Sequence, residues 1–171
     1  MKGLLNPEEN MTENELKRII ELYGNNVFKT AFCYMKSRAD ADDIQQDVFF
    51  KLFLYEKTFE SDEHIKAWLL RVTSNLCKNK LKSAWYRLSS PLEAAADVEA
   101  QNEFEDDFLS YLYSLKPKYR ITLYMYYYEG YSIKEISDIM GEKENTIISR
   151  LSRGRKKLKD ILIKENYNEI K

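Results

Sequence analysis

Side chains that can hydrogen-bond to nucleic acid are concentrated in one segment near the end of the chain. Ile147, Leu151 and Leu158 recur there at helical intervals, which predicts a long helix with one buried stripe. Short polar groups and arginines near the start of such a helix can contact base edges in a major groove, and later cations suit phosphates. The polar faces carry Asn145, Thr146, Ser149, Arg150, Ser152 and Arg153, followed by Arg155, Lys156, Lys157 and Lys159. A solvated basic face on a small helical bundle is the alternative interpretation.

The elements before this helix are predicted to present it to DNA. Pro117 can open a helix, because proline suits the first helical position. The stretch from Ser132 to Glu135 has capping-box form and begins a short helix, which Gly141 ends before the long helix starts. This spacing predicts a helix-turn-helix.

A second basic surface is predicted on a helix that begins at Ser61 or Asp62 and continues past Leu76. Its buried stripe would consist of Ile65, Trp68, Leu69, Val72 and Leu76. Its basic flank would consist of Arg71, Asn75, Lys78 and Lys82. Beyond the helix, Trp85 and Tyr86 add aromatic faces on which unpaired bases can stack. Taken alone, this pattern favours a solvated lysine face with core aromatics, and its pairing with the helix-turn-helix is what favours nucleic acid.

An exposed apolar pair is predicted on the preceding helix, which Asp40 would cap and which would cover about residues 41–57. Its core side would consist of Ile44, Val48, Leu52 and Tyr55. Phe50 and Leu54 then project to the opposite side. Their polar rim would consist of Asp43, Gln46 and Asp47. Apolar groups with such a rim are typical of a protein-docking patch, and the alternative is that the N-terminal helix covers them.

The rest of the chain also shows helical periodicity, and five glycines and three prolines are too few to interrupt it often. Thr12 to Glu15 has capping-box form and begins a helix that Gly24 would end, and another helix would cover about residues 26–37. We therefore predict an all-α protein whose first module contains four helices.

The charge distribution divides the chain into two basic modules and an acidic connector, although Lys+Arg number 27 and Asp+Glu 28. Residues 63–87 hold six cations and one anion, residues 88–110 hold seven acids without a cation, and residues 116–171 hold thirteen cations and eight anions. We predict two small helical domains at residues 8–87 and 104–168, joined by a flexible acidic linker at residues 88–103.

Catalytic and metal-binding patterns are missing from the sequence. The single histidine, His64, has no nucleophile or ligand partner at a recognisable spacing and suits a capping or loop role. Cys33 and Cys77 lack paired spacing and are predicted to be buried free thiols. No glycine-rich phosphate loop, signal peptide or membrane-length apolar run is present. We therefore expect a cytoplasmic protein that is not an enzyme and has no cofactor, metal or small-molecule substrate.

The sequence resembles the extracytoplasmic-function (ECF) sigma factors of bacterial RNA polymerase, the type that has regions 2 and 4 only. The segment DADDIQQDVF, from Asp40 to Phe49, resembles the region 2 helix that docks on the clamp of core polymerase. The resemblance implies contact roles for Asp43, Gln46, Asp47 and Phe53, in addition to the predicted Phe50 and Leu54.

Two further segments carry the same resemblance. WLLRV at residues 68–72, followed by Asn75 and Leu76, resembles the segment that melts and recognises the minus-ten element, with a base-accepting loop at residues 58–64. YSIKEI at residues 131–136, then Gly141, Thr146 and SRLSR at residues 149–153, resembles the region 4 helix-turn-helix that recognises the minus-thirty-five element.

The sequence departs from the family pattern at several positions. Ile148 stands where a Lys or Arg that touches DNA is usual, and an isoleucine would contact a base only through an apolar group such as a thymine methyl. Lys143 and Glu144 are unusual at the start of the recognition helix. Ser74 replaces a frequent arginine and Asn79 a frequent aspartate.

The resemblance thus implies a sigma factor that directs promoter-specific initiation in a stress or envelope response. Its first module would bind core polymerase and the minus-ten element, and its second the minus-thirty-five element and the polymerase flap, with double- and single-stranded promoter DNA as ligands. An anti-sigma protein, often membrane-bound in the family, would hold it silent. The alternatives are a stand-alone helix-turn-helix regulator and a helical adaptor without a DNA function.

Overall fold

The structure is a computed structural model that describes residues 11–56, 58–83 and 107–169, without the side chains of residues 107–109 and 165–169. Every regular element in these ranges is an α-helix, and the chain divides into two compact units, Met1–Lys82 and Ser83–Lys171. The all-α, two-domain prediction is confirmed. The predicted linker at residues 88–103 lies outside the described residues, and the domain boundaries remain predictions. In the described ranges, no helix has the length and apolar character needed to cross a membrane.

The described residues of unit 1 form three mutually packed helices: α1 (Glu13–Met35), α2 (Arg38–Phe53) and α3 (Asp62–Lys82). Thr12 begins α1 with the predicted capping box, in which its hydroxyl accepts from the Glu15 N–H and the Glu15 carboxylate accepts from the Thr12 N–H. The fully buried core includes Val27, Phe32, Leu52, Leu69 and Leu70. Burial of this apolar surface is the main term that holds the three helices together.

The prediction that Gly24 ends the first helix is wrong, because α1 continues through it to Met35. Gly24 is buried against α2, where the Gln45 side-chain amide donates to the Gly24 carbonyl over 2.7 Å. A Cβ at Gly24 would lie 3.5 Å from that amide nitrogen, so the missing side chain leaves room for a close approach. An internal glycine costs a helix about 1 kcal/mol relative to alanine, and the packing of Val27 and its neighbours outweighs this cost.

The predicted start and end of the next helix are also wrong. Ser37, and not Asp40, is the N-cap of α2, since the Ser37 hydroxyl accepts from the Asp40 N–H over 3.3 Å. The Asp40 carboxylate instead pairs with the Lys80 ammonium of α3. The helix ends at Phe53, so Tyr55 lies beyond it, whereas the other predicted core residues of α2 are buried. Serine and aspartate are both suitable N-cap residues, and the contact of Asp40 with α3 leaves the capping role to Ser37.

The buried face of α3 is rotated from the predicted stripe. Ile65 and Leu69 are buried as expected, but Trp68, Val72 and Leu76 are only half-buried. The other buried positions are Leu70, Thr73, Ser74 and Cys77. Because α3 packs against both α1 and α2, its buried arc is wider than a single stripe and takes in small polar residues that a search for apolar periodicity leaves out.

Ser74 is one of these residues, and its burial means that it cannot contact DNA. Its hydroxyl has no hydrogen-bond partner among the described residues. We expect Ser74→Ala to raise the free energy of unfolding by about 1 kcal/mol, because it removes a desolvated hydroxyl and improves helix propensity. Urea denaturation measures the change. Thr73→Val is the control, since the Thr73 hydroxyl donates to the Leu69 carbonyl over 2.8 Å; equal effects of the two variants would contradict the explanation.

Both cysteines are buried free thiols, as predicted. Burial raises the pKa of the Cys77 thiol, which keeps it protonated and unreactive at neutral pH. These thiols therefore belong to the packing of α1 and α3.

Unit 2 has four described helices: α4 (Asp107–Tyr113), α5 (Pro117–Tyr127), α6 (Ile133–Met140) and α7 (Glu144–Glu169). Pro117 opens α5, and Ser132 begins α6 with a capping box that includes Glu135. Gly141 ends α6 with a positive φ of 64°, a left-handed conformation that glycine adopts without strain. The predicted helix-turn-helix is therefore formed by α6 and α7.

Arg120 and Gly154, which give no local sequence signal, determine how α5 packs. Arg120 is 1% exposed, and its guanidinium donates to the carbonyls of Tyr113 and Leu115 over 3.2 and 3.0 Å, which ties the end of α4 to α5. Gly154 of α7 lies against α5, where an added Cβ would stand 3.1 Å from a methyl carbon of Leu123. The absence of a side chain at Gly154 thus allows α7 to approach α5 closely.

Candidate functional site

The first half of α7 has the two-sided character that the sequence predicts for a recognition helix. Ile147 and Leu151 are buried against the rest of unit 2, whereas Ile148 is 47% exposed. The other exposed side chains of the predicted surface are Asn145, Ser149, Ser152 and Arg153, and Thr146 is half-buried. Positions 145, 148, 149 and 152 recur at helical spacing and share one face. This group, together with Arg153, is called the recognition face below.

The short helix α6 sets the direction of α7. Eight residues are too few for a stable isolated helix, so α6 depends on the burial of Ile136, Ile139 and Met140. Hydrogen bonds from the Ser132 hydroxyl and backbone N–H lower the pKa of the Glu135 carboxyl, which keeps it ionised at the N-terminus of the helix. A fixed α6 followed by a tight turn leaves the recognition face exposed.

Arg150, like Thr146, is partly withdrawn from solvent. Its side chain is 19% exposed, and its guanidinium lies 3.3 Å from the carboxylate of Glu142 in the turn. Sequence reasoning missed Glu142, since an acid eight positions from its partner across a turn has no periodic signal. The predicted DNA contact is thus already engaged in an ion pair.

The predicted basic flank of α3 lies largely at the surface. Arg71, Asn75 and Lys82 are exposed and Lys78 is half-buried. Lys80, on the same helix, turns instead towards α2, where it pairs with Asp40 and lies 3.8 Å from Asp43. Trp85, the remaining predicted contact, lies outside the described residues, as does Tyr86.

An aromatic cluster holds the segment that leads into α3. Phe59 is buried, its ring lies 5.1 Å from the ring of Tyr55 in a stacked arrangement, and it meets Trp68 edge-on at 5.7 Å. The His64 ring contacts Phe59 edge-on at 5.5 Å. The predicted base-accepting loop, residues 58–64, therefore has an aromatic floor formed by Phe59, Tyr55 and Trp68.

Hydrogen bonds also hold the segment at residues 60–64 in place. The Ser61 hydroxyl accepts from the His64 N–H over 3.1 Å, and the Nδ1 atom of His64 accepts from the Glu60 N–H over 3.4 Å. His64 thus has the predicted capping and loop role. From α1, Arg18 grips the Asp62 carboxylate with two hydrogen bonds of 3.2 and 3.0 Å. Sequence reasoning missed Arg18, which lies far from Asp62 along the chain.

The apolar patch on α2 is exposed, as predicted. Phe50 is 62%, Leu54 60% and Phe53 43% exposed, so the alternative in which the N-terminal helix covers them is wrong. The polar rim is exposed as well. We call this group the docking patch, and it consists of Asp43, Gln46, Asp47, Phe50, Phe53 and Leu54.

The two units correspond to two known sequence families. Residues 19–87 match the family model for Sigma-70 region 2, and residues 106–158 match that for Sigma-70, region 4. The RNA polymerase sigma factor SigZ of Bacillus subtilis is 30% identical over 131 residues, which are 71% of this chain and 72% of SigZ. The chain belongs to the ECF family of RNA polymerase sigma factors.

A further sequence relative agrees with this assignment, and a solved structure shows the same fold. The ECF RNA polymerase sigma factor SigE of Mycolicibacterium smegmatis is 26% identical over 159 residues, and the match covers 86% of this chain but 62% of SigE. The sigma factor RpoE of Bartonella quintana, solved in complex with the anti-sigma factor NepR, shares the fold with a TM-score of 0.65 and 24% identity. That match covers 87% of this chain and 97% of RpoE.

Proposed function

We propose that this sigma factor is a promoter-specificity subunit of bacterial RNA polymerase. The observation that carries the proposal is that each unit exposes a surface its packing does not use. These surfaces are the docking patch of α2, within the region 2 match, and the recognition face of α7, within the region 4 match. The family consists of transcription-initiation factors, and we propose that the chain acts without catalysis, cofactor, metal or small-molecule substrate.

Unit 1 is proposed to bind the clamp of core polymerase through the docking patch. Phe50 and Leu54 would be the central apolar anchors, and Asp43, Gln46 and Asp47 the polar rim, an arrangement typical of stable protein interfaces. Apolar side chains interact unfavourably with water, so burial of Phe50 and Leu54 against a partner favours binding.

The minus-ten element is proposed to bind along α3. Arg71, Asn75, Lys78 and Lys82 would follow the DNA backbone, and Trp85 would add a stacking surface. The loop at residues 58–64, which is held by the aromatic contacts of Phe59 and by the Arg18–Asp62 ion pair, is proposed to accept an unpaired base. A rigid loop suits this role because it loses little conformational entropy when the base enters.

The minus-thirty-five element is proposed to bind the recognition face, with α7 in the major groove and unit 2 also contacting the flap. Short side chains such as Ser149 and Ser152 suit close approach to base edges, and Arg153 can donate to guanine or phosphate. The proposed contacts are Asn145, Thr146, Ile148, Ser149, Ser152 and Arg153, with Arg150 considered separately below.

Regulation by an anti-sigma protein, membrane-bound or not, is proposed as well. The structural relative RpoE was solved with such a partner, and the exposed docking patch is a surface that a partner could cover. The regulon would be a stress or envelope response, with the protein acting in the cytoplasm on promoter DNA.

Run-off transcription with purified core polymerase tests the proposed function. The full-length chain should give core enzyme defined start sites on genomic DNA fragments, and core enzyme alone should not. A stand-alone helix-turn-helix regulator would bind DNA without core enzyme and give no such starts. A helical adaptor would do neither, so the three functions give three different results.

Lys78 and Lys82 provide a test of the basic flank. Replacing both with alanine should weaken open-complex formation and reduce the slope of log affinity against log salt by roughly 0.7 to 0.9 for each lost phosphate contact. Base preference should change little. A salt titration of holoenzyme on promoter DNA measures the slope, with Lys17→Ala on the exposed side of α1 as control. A double variant with the slope of the control would show that these lysines do not meet phosphate.

Ile148 is expected to determine base preference and not stability, because it is 47% exposed beside the buried Ile147. Ile148→Ala should lower activity most at promoters with a thymine opposite this position, and Ile148→Arg should shift preference towards guanine or raise affinity for all sequences. Selection from a randomised minus-thirty-five library measures both effects. Thermal melts provide the control, since unchanged preferences with lowered melting temperatures would place Ile148 in the core.

A further inference from the structure

The ion pair between Glu142 and Arg150 is better shielded from water than the ion pair between Arg18 and Asp62. The Arg150 and Glu142 side chains are 19% and 30% exposed, whereas Arg18 and Asp62 are both 49% exposed. Shielding from water strengthens the attraction between the charges and reduces its screening by salt. The guanidinium is therefore held in the turn more firmly than a typical surface arginine.

The acid that holds Arg150 is itself fixed. The Glu142 N–H donates to the Ser137 carbonyl over 3.1 Å, and the Ser137 hydroxyl donates to the Glu142 carbonyl over 2.5 Å. Gly141, the residue directly before Glu142, adopts the left-handed conformation that ends α6. These hydrogen bonds hold the Glu142 backbone in place, so only the Glu142 side chain can follow Arg150 if the arginine moves towards a ligand.

Arg150 lies at the edge of the recognition face, between the buried Leu151 and the exposed Ser149. We propose that Glu142 is a positioning residue that withholds Arg150 from promoter DNA and leaves base preference to Ile148 and the serines. The proposal rests on the proposed function, since it assumes that α7 binds the minus-thirty-five element.

Withholding an arginine has two measurable consequences. An available guanidinium can donate two hydrogen bonds to guanine, so its absence lowers the preference for guanine near Arg150. An available cation also neutralises a phosphate and releases counterions, so its absence reduces the salt dependence of binding. The nearby Arg153 is exposed and supplies these contacts one turn later.

Glu142→Gln tests the proposal, because glutamine keeps the size and the backbone hydrogen bonds but loses the charge. Binding of holoenzyme to a duplex with the minus-thirty-five sequence selected by the wild-type protein should become steeper in salt by roughly 0.9 in the log–log slope. Between about 50 and about 200 mM salt, this slope corresponds to roughly a threefold larger loss of affinity for one added phosphate contact. Selection from a randomised library should at the same time gain guanine at one position.

Arg150→Gln, introduced into the wild-type protein and into the Glu142→Gln protein, tests whether the steeper salt dependence comes from Arg150. It should change the slope little in the wild-type protein and abolish the gain in the Glu142→Gln protein. Glu144→Gln is the matched control, since it removes the same charge from the first turn of α7. The proposal would be overturned if Glu142→Gln and Glu144→Gln steepened the salt slope equally. It would also be overturned if Arg150→Gln reduced the slope by the same amount in the wild-type and Glu142→Gln proteins. A wild-type holoenzyme without promoter-specific binding would overturn the proposed function together with it.

Discussion

Arg120→Ala is expected to lower the free energy of unfolding of unit 2 by about 3 kcal/mol or more. The substitution leaves the carbonyls of Tyr113 and Leu115 without their buried charged donor, and hydrogen bonds to charged groups contribute about 1.5 to 3 kcal/mol each. It also leaves a cavity beside the Tyr113 ring, which the guanidinium now covers at 5.7 Å. Urea denaturation of the full-length protein measures the loss, and hydrogen exchange of the α5 and α7 amides assigns it to unit 2.

Lys118→Ala is the matched control for Arg120, because it removes an exposed cation from the same helix. Exposed substitutions of this kind usually change stability by less than about 0.5 kcal/mol. A similar small loss from both variants would show that Arg120 does not hold α4 against α5. Because Arg120 belongs to unit 2, Arg120→Ala should also weaken the proposed minus-thirty-five binding and leave minus-ten binding unchanged.

Phe50→Ala combined with Asp47→Ala is expected to weaken the binding of core polymerase by about 2 kcal/mol or more, which is roughly a thirtyfold rise in Kd. Phe50 is the most exposed large apolar side chain of the docking patch, so its truncation removes a central anchor without opening a cavity in the core. Asp47 adds a rim contact on the same surface. Titration of labelled protein with core enzyme measures the Kd.

Leu22→Ala is the matched control for the docking patch. Leu22 is 51% exposed on α1, so its truncation removes a comparable apolar group from a different surface. Core binding should be unchanged in this variant, and thermal melts should be similar for both proteins. An unchanged Kd for the Phe50 variant with an intact fold would show that the docking patch faces something other than polymerase.

Local sequence signals predicted much of the fold because they act within a few residues. The capping boxes at Thr12 and Ser132, and the left-handed glycine at 141, depend on short-range backbone geometry that residue types determine almost alone. Gly24 misled the prediction because its role depends on Gln45, which lies on another helix. A glycine that ends a helix and one that admits a neighbour look the same in sequence.

The candidate surfaces show the same difference between local features, which the sequence predicts, and contacts between separate elements, which it does not. Exposure of Phe50 and Leu54 follows from helical spacing, and the structure confirms it. The contacts that hold these surfaces in place were missed, because Arg18 with Asp62 and Glu142 with Arg150 join separate elements. Helical periodicity indicates which side of a helix is buried but does not indicate which polar groups meet across a turn.

The aromatic floor beneath the loop before α3 also gives the protein an optical reporter. Trp68 is half-buried and its indole ring lies 4.7 Å from the Tyr55 ring, so its emission depends on the position of Phe59 and on access of water to the cluster. The chain has two tryptophans, and replacing Trp85 with phenylalanine would leave Trp68 as the one source of indole fluorescence. In the free protein, entry of a base from a single-stranded oligonucleotide into the proposed loop would then change this emission, without an attached dye.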